Sequence, residues 1–431
     1  MTVSGLFIAI SLFLYCFSTS CPHNIGIVEI GIAMSLSISV ISTLFKNIVR
    51  FNSSHIKKHD IKVILSVIIL LLFPIISAIS FGNRNISPWD ISRDILPFMF
   101  FIIPIFYIGM DFKEAKNMVK IIPLFITIVG IVYSLRFIVY IHDNFGPILS
   151  FLIGQNTMYV SGEIGRSSML SNDYLCLPFD PSVFFSAFYL LLKGFHNLFK
   201  GKGLIRINGI SLLILSILPI SSLAIISSRV AFGLLALLFI VSILKFYSKR
   251  SIVILCVFIG FGLTILWPFV SLVFDLLMAK QMAVGFNNKL VEIEKVYDTL
   301  AHEGAICVIT GLGWGGEFYD PAVGKVASFT HSLISYFFLK SGIIGLFLLT
   351  VYMWWLIKMI FNIPKNYLNI YGSAEYSVYG IIIISLFFQP VYKTPTYGIL
   401  LLYALSAYNA YKYSFSRIHQ NKTLLYLLPS Y

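Results

Sequence analysis

Charge is what this 431-residue chain has least of: only 11% of its residues are Asp, Glu, Lys or Arg, while 58% are hydrophobic and the mean hydropathy is +0.89. Too few polar side chains are present to cover a globule, which excludes a water-soluble domain. No connecting segment is long enough to hold a separate soluble module, so the chain reads as one membrane domain over 1–431. Cysteine is sparse and odd in number, five in all. Cys16 and Cys256 lie in apolar runs, and no spacing among Cys21, Cys176 and Cys307 demands a disulfide. Metal-ligand spacing is missing as well, so neither a structural zinc nor a metal cofactor is expected. The first apolar run lacks a basic leader, and no leucine stands where a lipoprotein cleavage site before Cys21 would want one, so it is kept as a span. Paired halves with broken helices, the mark of many carriers, are absent: no internal repeat is found.

Long apolar runs are there in number. Stretches of about 20 residues, enough to cross a hydrocarbon core, fall at 2–19, 24–45, 62–81, 95–110, 121–141, 183–199, 207–226, 230–247, 251–272, 332–361, 374–391 and 396–413. The expectation is an all-α, polytopic integral membrane protein with about 12 transmembrane helices. Lysine and arginine collect in alternate loops, at Lys46 to Lys62, Lys113 to Lys120, Lys193 to Arg206, Lys245 to Arg250, Lys358 to Lys365 and Lys412 to Lys422. By the positive-inside rule these sides and both termini are cytoplasmic. Two long loops, 142–182 and 273–331, then face outward. The net charge of +13 follows from this bias and from contact with anionic head groups, and requires no nucleic acid.

Most acidic residues fall on the outward side, among them Asp90, Asp94, Glu163, Asp173, Asp180, Glu292, Glu294, Glu317 and Asp320. A carrier would concentrate functional charge at the bilayer midplane. Polar chemistry at the outer interface fits a site acting on something that arrives from the outer leaflet. Arg229, in ISSRVAFG, interrupts nearly forty apolar residues and needs an anion. It is either a snorkelling arginine bound to lipid phosphate or a phosphate-binding arginine of a site. His331, in SFTHSLISYFF, stands where a polar loop enters an apolar helix, and it either caps that helix or serves as a base.

Four segments carry a resemblance. SSRVAFGLLALL resembles the Ser-Arg-small motif of the O-antigen polymerase and O-antigen ligase superfamily of bacterial envelopes. GLGWGGEFYD followed by SFTHSLISYFFLKSGIIGLFLL is similar to its Gly-x-Gly loop and His-Asn-x-x-Leu helix, GRSSMLSNDYLCLPFDPSVFFSAF to its Arg-containing loop, and WDISRDILPFMFFIIP to its earlier Arg-Asp segment. The match runs in order over 84–361, with Ser332 and Ser182 where Asn is commoner. The resemblance implies metal-independent glycosyl transfer at the periplasmic face of the inner membrane, without a cofactor, using undecaprenyl-diphosphate-linked oligosaccharide. His331 would be the catalytic base, and Arg166 and Arg229 would converge on the donor diphosphate. Arg93 and Asp180 are candidates for additional substrate contacts, while Glu163, Asp173 and Asp180 also read as plain solvated loop charges. A polymerase joining repeat units is the favoured member, with membrane lipid and a chain-length regulator protein as partners. A ligase to lipid A core is the alternative, and a polysaccharide or lipid-linked sugar exporter is the runner-up from another class.

In the second long loop, Leu290, Ile293, Val296, Tyr297 and Leu300 in NKLVEIEKVYDTL recur at three- and four-residue spacing, predicting an amphipathic helix on the interface or over the site. GLGWGG lacks the Lys-Ser/Thr of a phosphate loop, so Gly311, Gly313, Gly315 and Gly316 read as flexible turn positions. Lys340, nine residues after His331 on one continuous helix, would face away from it about 13 Å along the axis, outside the site. The topology is open to direct measurement. Single cysteines placed within 285–325 should react with a membrane-impermeant reagent in cells with a permeabilised outer membrane, while those within 52–58 stay protected. The reverse pattern would overturn every site assignment above.

Overall fold

Wherever the long apolar runs are described, they fold as helices. The computed structural model describes residues 1–18, 26–49, 58–81, 88–145, 173–226, 228–246, 271, 289–320, 325–362 and 373–427. In chain order the helices are α1 (Val3–Tyr15), α2 (Ile27–Val49), α3 (Lys58–Phe81), α4 (Pro88–Phe101), α5 (Phe112–Phe145), α6 (Pro181–Lys200), α7 (Leu204–Ile225) and α8 (Arg229–Phe246). After them come α9 (Lys289–Glu303), α10 (Ala305–Thr310), the strands β1 (Phe318–Asp320) and β2 (Lys325–Ala327), α11 (Leu333–Phe361), α12 (Ser373–Phe387) and α13 (Pro395–Leu427). Among the described residues, α2, α3, α5, α7 and α11 are long and apolar enough to cross a membrane, and α1, α8 and α12 are shorter apolar helices. The expected span at 251–272 lies outside the described residues, apart from position 271.

Two expected boundaries need correction. The run 95–110 is not one helix: α4 ends at Phe101 and a 3-10 turn, Ile103–Tyr107, follows. Pro104 in that turn has no N–H to continue the ladder, and its ring collides with the preceding turn. Helix α5 starts at Phe112, taking in Lys113, Lys116 and Lys120. They form an exposed stripe opposite buried Ala115, Met118 and Val119. The second long loop contains the helix expected at NKLVEIEKVYDTL, α9, and adds α10 and two antiparallel strands in which Asp320 pairs with Lys325.

Helix starts are set by local chemistry. Thr2 Oγ1 accepts from Gly5 N at 3.2 Å to cap α1. Ser332 Oγ accepts from Ser335 N at 3.1 Å to cap α11, so the departure from Asn at this position exchanges one good N-cap for another. Asp180 caps α6, with Pro181 at its first position.

The helices surround one core with an aromatic column at its centre. Trp314 meets Phe98 at 5.5 Å between ring centroids, and Phe101 meets Tyr352 edge-on at 4.8 Å. In lipid such rings gain by packing rather than by leaving water, which favours close interlocking over simple apolarity. A second, smaller cluster of Val296, Leu300, Cys307, Leu312, Phe318 and Leu339 joins α9, α10 and the hairpin to the start of α11.

Helix α11 is broken at Gly342, whose φ of 59° and ψ of −153° are not helical. The break frees carbonyls of the preceding turn, and the glycine-rich loop takes them up: Leu312 N donates to Leu339 O and Gly313 N to Lys340 O, each at 2.9 Å. A side chain at Gly313, which has φ of 83°, would strike the backbone of α3 at Ala78 and Pro74. These glycines are therefore sites of close approach, not hinges. Trp314, wholly buried, donates its indole N–H to Leu71 O at 3.0 Å and fastens the loop against α3.

Below the loop, Lys340 Nζ lies 2.5 Å from Asp94 Oδ2, and neither side chain is exposed. Gly315 N donates to the same carboxylate oxygen at 2.6 Å, and Lys340 donates to Gly316 O at 2.6 Å. Losing one member of a buried pair strands the other charge. Lys340→Met or Asp94→Leu alone should cost about 3–5 kcal/mol, measured as unfolding of detergent-solubilised protein. The double variant should recover most of that loss. Single variants as stable as the wild type would show that the pair does not hold the loop.

Candidate functional site

The site begins with one face of α9. Glu292, Val296 and Leu300 recur every four residues and are the buried positions, at 3%, 0% and 0% exposure. Ile293 and Tyr297, expected on the apolar stripe, are 40% and 51% exposed. The helix thus turns a carboxylate, rather than a full apolar stripe, toward the protein. In β1 the alternation of strand side chains places Phe318 and Asp320 on the buried face and Tyr319 outside.

Both carboxylates meet His331. Glu292 Oε2 is 2.8 Å from His331 Nδ1, and Glu292 Oε1 accepts the His331 backbone N–H at 2.9 Å. Asp320 Oδ2 is 3.7 Å from the same ring nitrogen, close enough for attraction and too far for a hydrogen bond. The imidazole is 36% exposed, the two carboxylates 4% and 2%. Nε2 makes no hydrogen bond among the described residues. Because a carboxylate only accepts, this geometry puts a proton on Nδ1, and in the neutral ring Nε2 then keeps its lone pair.

Around His331 the backbone is held by aromatic and hydroxyl groups. Tyr392, in the turn Val391–Lys393, donates its hydroxyl to Thr330 O at 3.0 Å. Burial raises the Tyr392 hydroxyl well above its ordinary range, which keeps that donor protonated. Phe329, two residues before His331, stacks on Tyr336 at 5.9 Å.

Two cations gather on the ring of Phe329. Lys393 Nζ is 3.8 Å from its centroid and Arg93 Cζ 5.7 Å. Arg93 also pairs with Asp90 at 3.3 Å and Glu317 at 3.5 Å. Its Nε and Nη2 are nonetheless buried without a hydrogen bond. Buried guanidinium donors without acceptors are costly, and an anion would satisfy them.

The sequence-predicted residues divide. His331 and Arg93 are linked through Phe329, two residues before His331, whose ring Arg93 Cζ approaches to 5.7 Å. Arg166 lies outside the described residues, as does the side chain of Arg229, and with them the pairing of the two arginines. The backbone of Arg229 is the first residue of α8, and Gln389 Nε2 donates to the preceding Ser228 Oγ at 3.1 Å. That contact sets the start of α8 beside the end of α12, two residues before the turn that carries Lys393.

Asp180 is not a solvated loop charge. It is 2% exposed, and it accepts from Ser182 N at 2.9 Å, Tyr15 OH at 2.8 Å and Thr396 Oγ1 at 3.0 Å, tying α6 to α1 and α13. Burial pushes its carboxyl above the usual range, while the hydrogen bonds from Ser182, Tyr15 and Thr396 pull it back. A helix start demands such an acceptor, and the packing of three helices around it removes the water.

Glu292, Asp320, Lys393 and Phe329 were not singled out by sequence. Lys393 carried one signal, a lysine on the side the positive-inside rule leaves poor in cations. Among the described residues no group of three or more His, Cys, Asp and Glu side chains is placed to hold a metal ion. No protein-family model matches the chain, and no curated protein matches it.

Asp180→Ala removes a cap and leaves two buried hydroxyls without their acceptor, a loss of about 2–3 kcal/mol. Thermal unfolding in detergent should show it. Unchanged unfolding with loss of activity alone would return Asp180 to the substrate.

Proposed function

We propose that the chain is an integral membrane glycosyltransferase of the bacterial inner membrane that joins undecaprenyl-diphosphate-linked oligosaccharide repeat units at the periplasmic face. The observation that carries this reading is the His331 constellation: a half-exposed imidazole with Nδ1 engaged and Nε2 open, beside Arg93 and Lys393. Glycosyl transfer from a polyprenyl diphosphate needs a base for the acceptor hydroxyl and positive charge for the leaving diphosphate. His331 Nε2 supplies the first. Arg93, whose buried Nε makes no hydrogen bond, and Lys393 supply the second, and the resemblance adds Arg166 and Arg229 to that role. An arginine fork matches phosphate oxygens in a way lysine does not.

With the twelve spans and cytoplasmic termini expected from the sequence, this end of the bundle faces outward, where lipid-linked repeat units are used. Helix α9 stands beside the base through Glu292.

Purified protein given undecaprenyl-diphosphate oligosaccharide should build a ladder of chain lengths. His331→Ala should slow transfer by roughly a hundredfold or more, the usual scale for a positioned base, with donor binding retained. Arg93→Lys should weaken donor binding. Label passing to lipid A core instead of a ladder would mark a ligase, and transfer to neither would leave the exporter. Normal transfer by the alanine variant would reduce His331 to a structural residue at the start of α11.

A further inference from the structure

Glu292 lies 39 residues before His331 and on a different helix, yet it touches His331 twice. One carboxylate oxygen takes the backbone N–H at 2.9 Å and the other takes Nδ1 at 2.8 Å. These two contacts fix both the position of the residue and the rotation of its ring. The carboxylate is itself immobilised, because it projects from the α9 face that carries buried Val296 and Leu300 into the satellite core. We infer that Glu292 is the positioning residue of the transfer reaction, holding His331 in the Nδ1–H tautomer so that Nε2 faces the acceptor; this rests on the reading of His331 as the general base.

The step balances as follows. The acceptor hydroxyl gives its proton to Nε2, and its oxygen forms a bond to the anomeric carbon of the donor sugar. The bond from that carbon to the diphosphate oxygen breaks, and its electron pair leaves with the undecaprenyl diphosphate. The imidazolium so formed keeps its Nδ1–H on Glu292, with the Asp320 carboxylate at 3.7 Å adding charge. The proton then passes to water or to the departing diphosphate, restoring the neutral ring. The opposite tautomer, protonated on Nε2, has no lone pair to offer and cannot take the first step.

Glu292→Gln tests this with little change of shape. Its single amide oxygen can serve the His331 backbone N–H, which leaves the amide NH₂ facing Nδ1. That arrangement favours the proton on Nε2. With ¹⁵N-labelled histidine, and His331 assigned by its alanine variant, the wild type should show the neutral ring protonated on Nδ1 and Glu292→Gln the ring protonated on Nε2. The kcat for oligosaccharide transfer should fall by roughly 10²–10⁴, the scale of a histidine held in the wrong tautomer, with KM for the donor unchanged. Glu292→Asp, which keeps two acceptors, should recover part of the loss, and Glu294→Gln, on the exposed face of the same helix, should behave as wild type. The wild-type spectrum alone decides should the glutamine variant fail to fold: a neutral ring protonated on Nε2 overturns the assignment. So does an unchanged tautomer in Glu292→Gln. A switched tautomer with undiminished transfer overturns it too, and shows that the fault lies in the general-base reading.

Discussion

The charge pair of Lys340 and Asp94, with neither side chain exposed, holds α4, α11 and the glycine-rich loop in register. Lys340 and Asp94 would each be prohibitively costly alone in an apolar core. Together they are tolerable because the loop supplies further partners, Gly315 N for one carboxylate oxygen and Gly316 O for the ammonium, while Asp94 Oδ1 stays buried without a hydrogen bond. Three separate segments, α4, α11 and the glycine-rich loop, are thereby fixed to one point. Tyr336 adds a fourth tie by donating to Asp94 O at 3.0 Å. What the site needs follows from that fixing. Arg93 is next to Asp94, so an inward Asp94 sets the azimuth of Arg93 on α4. The hairpin carrying Asp320 leaves directly from the held loop, and His331 stands at the entry of the helix that carries Lys340.

The same pair explains why irregular backbone is admissible here. Trp314 N donates to Pro74 O at 3.2 Å, seven residues before the end of α3, so the loop reaches about 10 Å along that helix. Non-helical backbone at such a depth survives only when its polar groups are satisfied by protein. The Gly342 break offers carbonyls, the loop offers amides, and the two defects cancel. Neither would be stable without the other, and the absence of side chains at Gly311, Gly313 and Gly342 is what lets the backbones come within bonding distance. Regarded as flexible turn positions, these glycines lose their purpose; regarded as sites of contact, they account for the run GLGWGG.

Sequence gave access to whatever depends on run length and local chemistry. The positions of the apolar helices, the histidine at the mouth of α11 and the capping start of that helix could all be read directly. Interactions across long separations could not. Glu292 reaches His331 over 39 residues, and its signal, the 292, 296, 300 spacing, competes with an apolar pattern of equal period containing Ile293 and Tyr297. A carboxylate in that stripe looks like a fault in the pattern until its partner is known. Lys340 was read only as facing away from His331, and its own partner stayed hidden for a related reason: a helical wheel says which way a residue faces, but not that an acid on α4 will be there to meet it. Asp180 looked solvated because it stands between a loop and a helix, and only the packing of α1 and α13 against α6 buries it.

Charge around His331 is sorted by layer, and the sorting has a chemical consequence. The acids Glu292 and Asp320 are buried on the Nδ1 side of the ring, whereas Arg93 and Lys393 gather on Phe329 nearby. A proton arriving at Nε2 turns the imidazole into a cation, and the carboxylates behind it offset that charge at once. Negative charge developing on a leaving group would meet the cations instead. Two opposite charges can thus form during one event, each beside its own compensation and neither waiting for water to reorganise. Phe329 stays in contact with the cations, since an aromatic face attracts positive charge without neutralising it. Replacing that ring with a carboxylate would quench the cations, and replacing it with a small side chain would let them drift. The aromatic residue two positions before His331 is therefore as much a part of the electrostatic arrangement as the charged groups themselves.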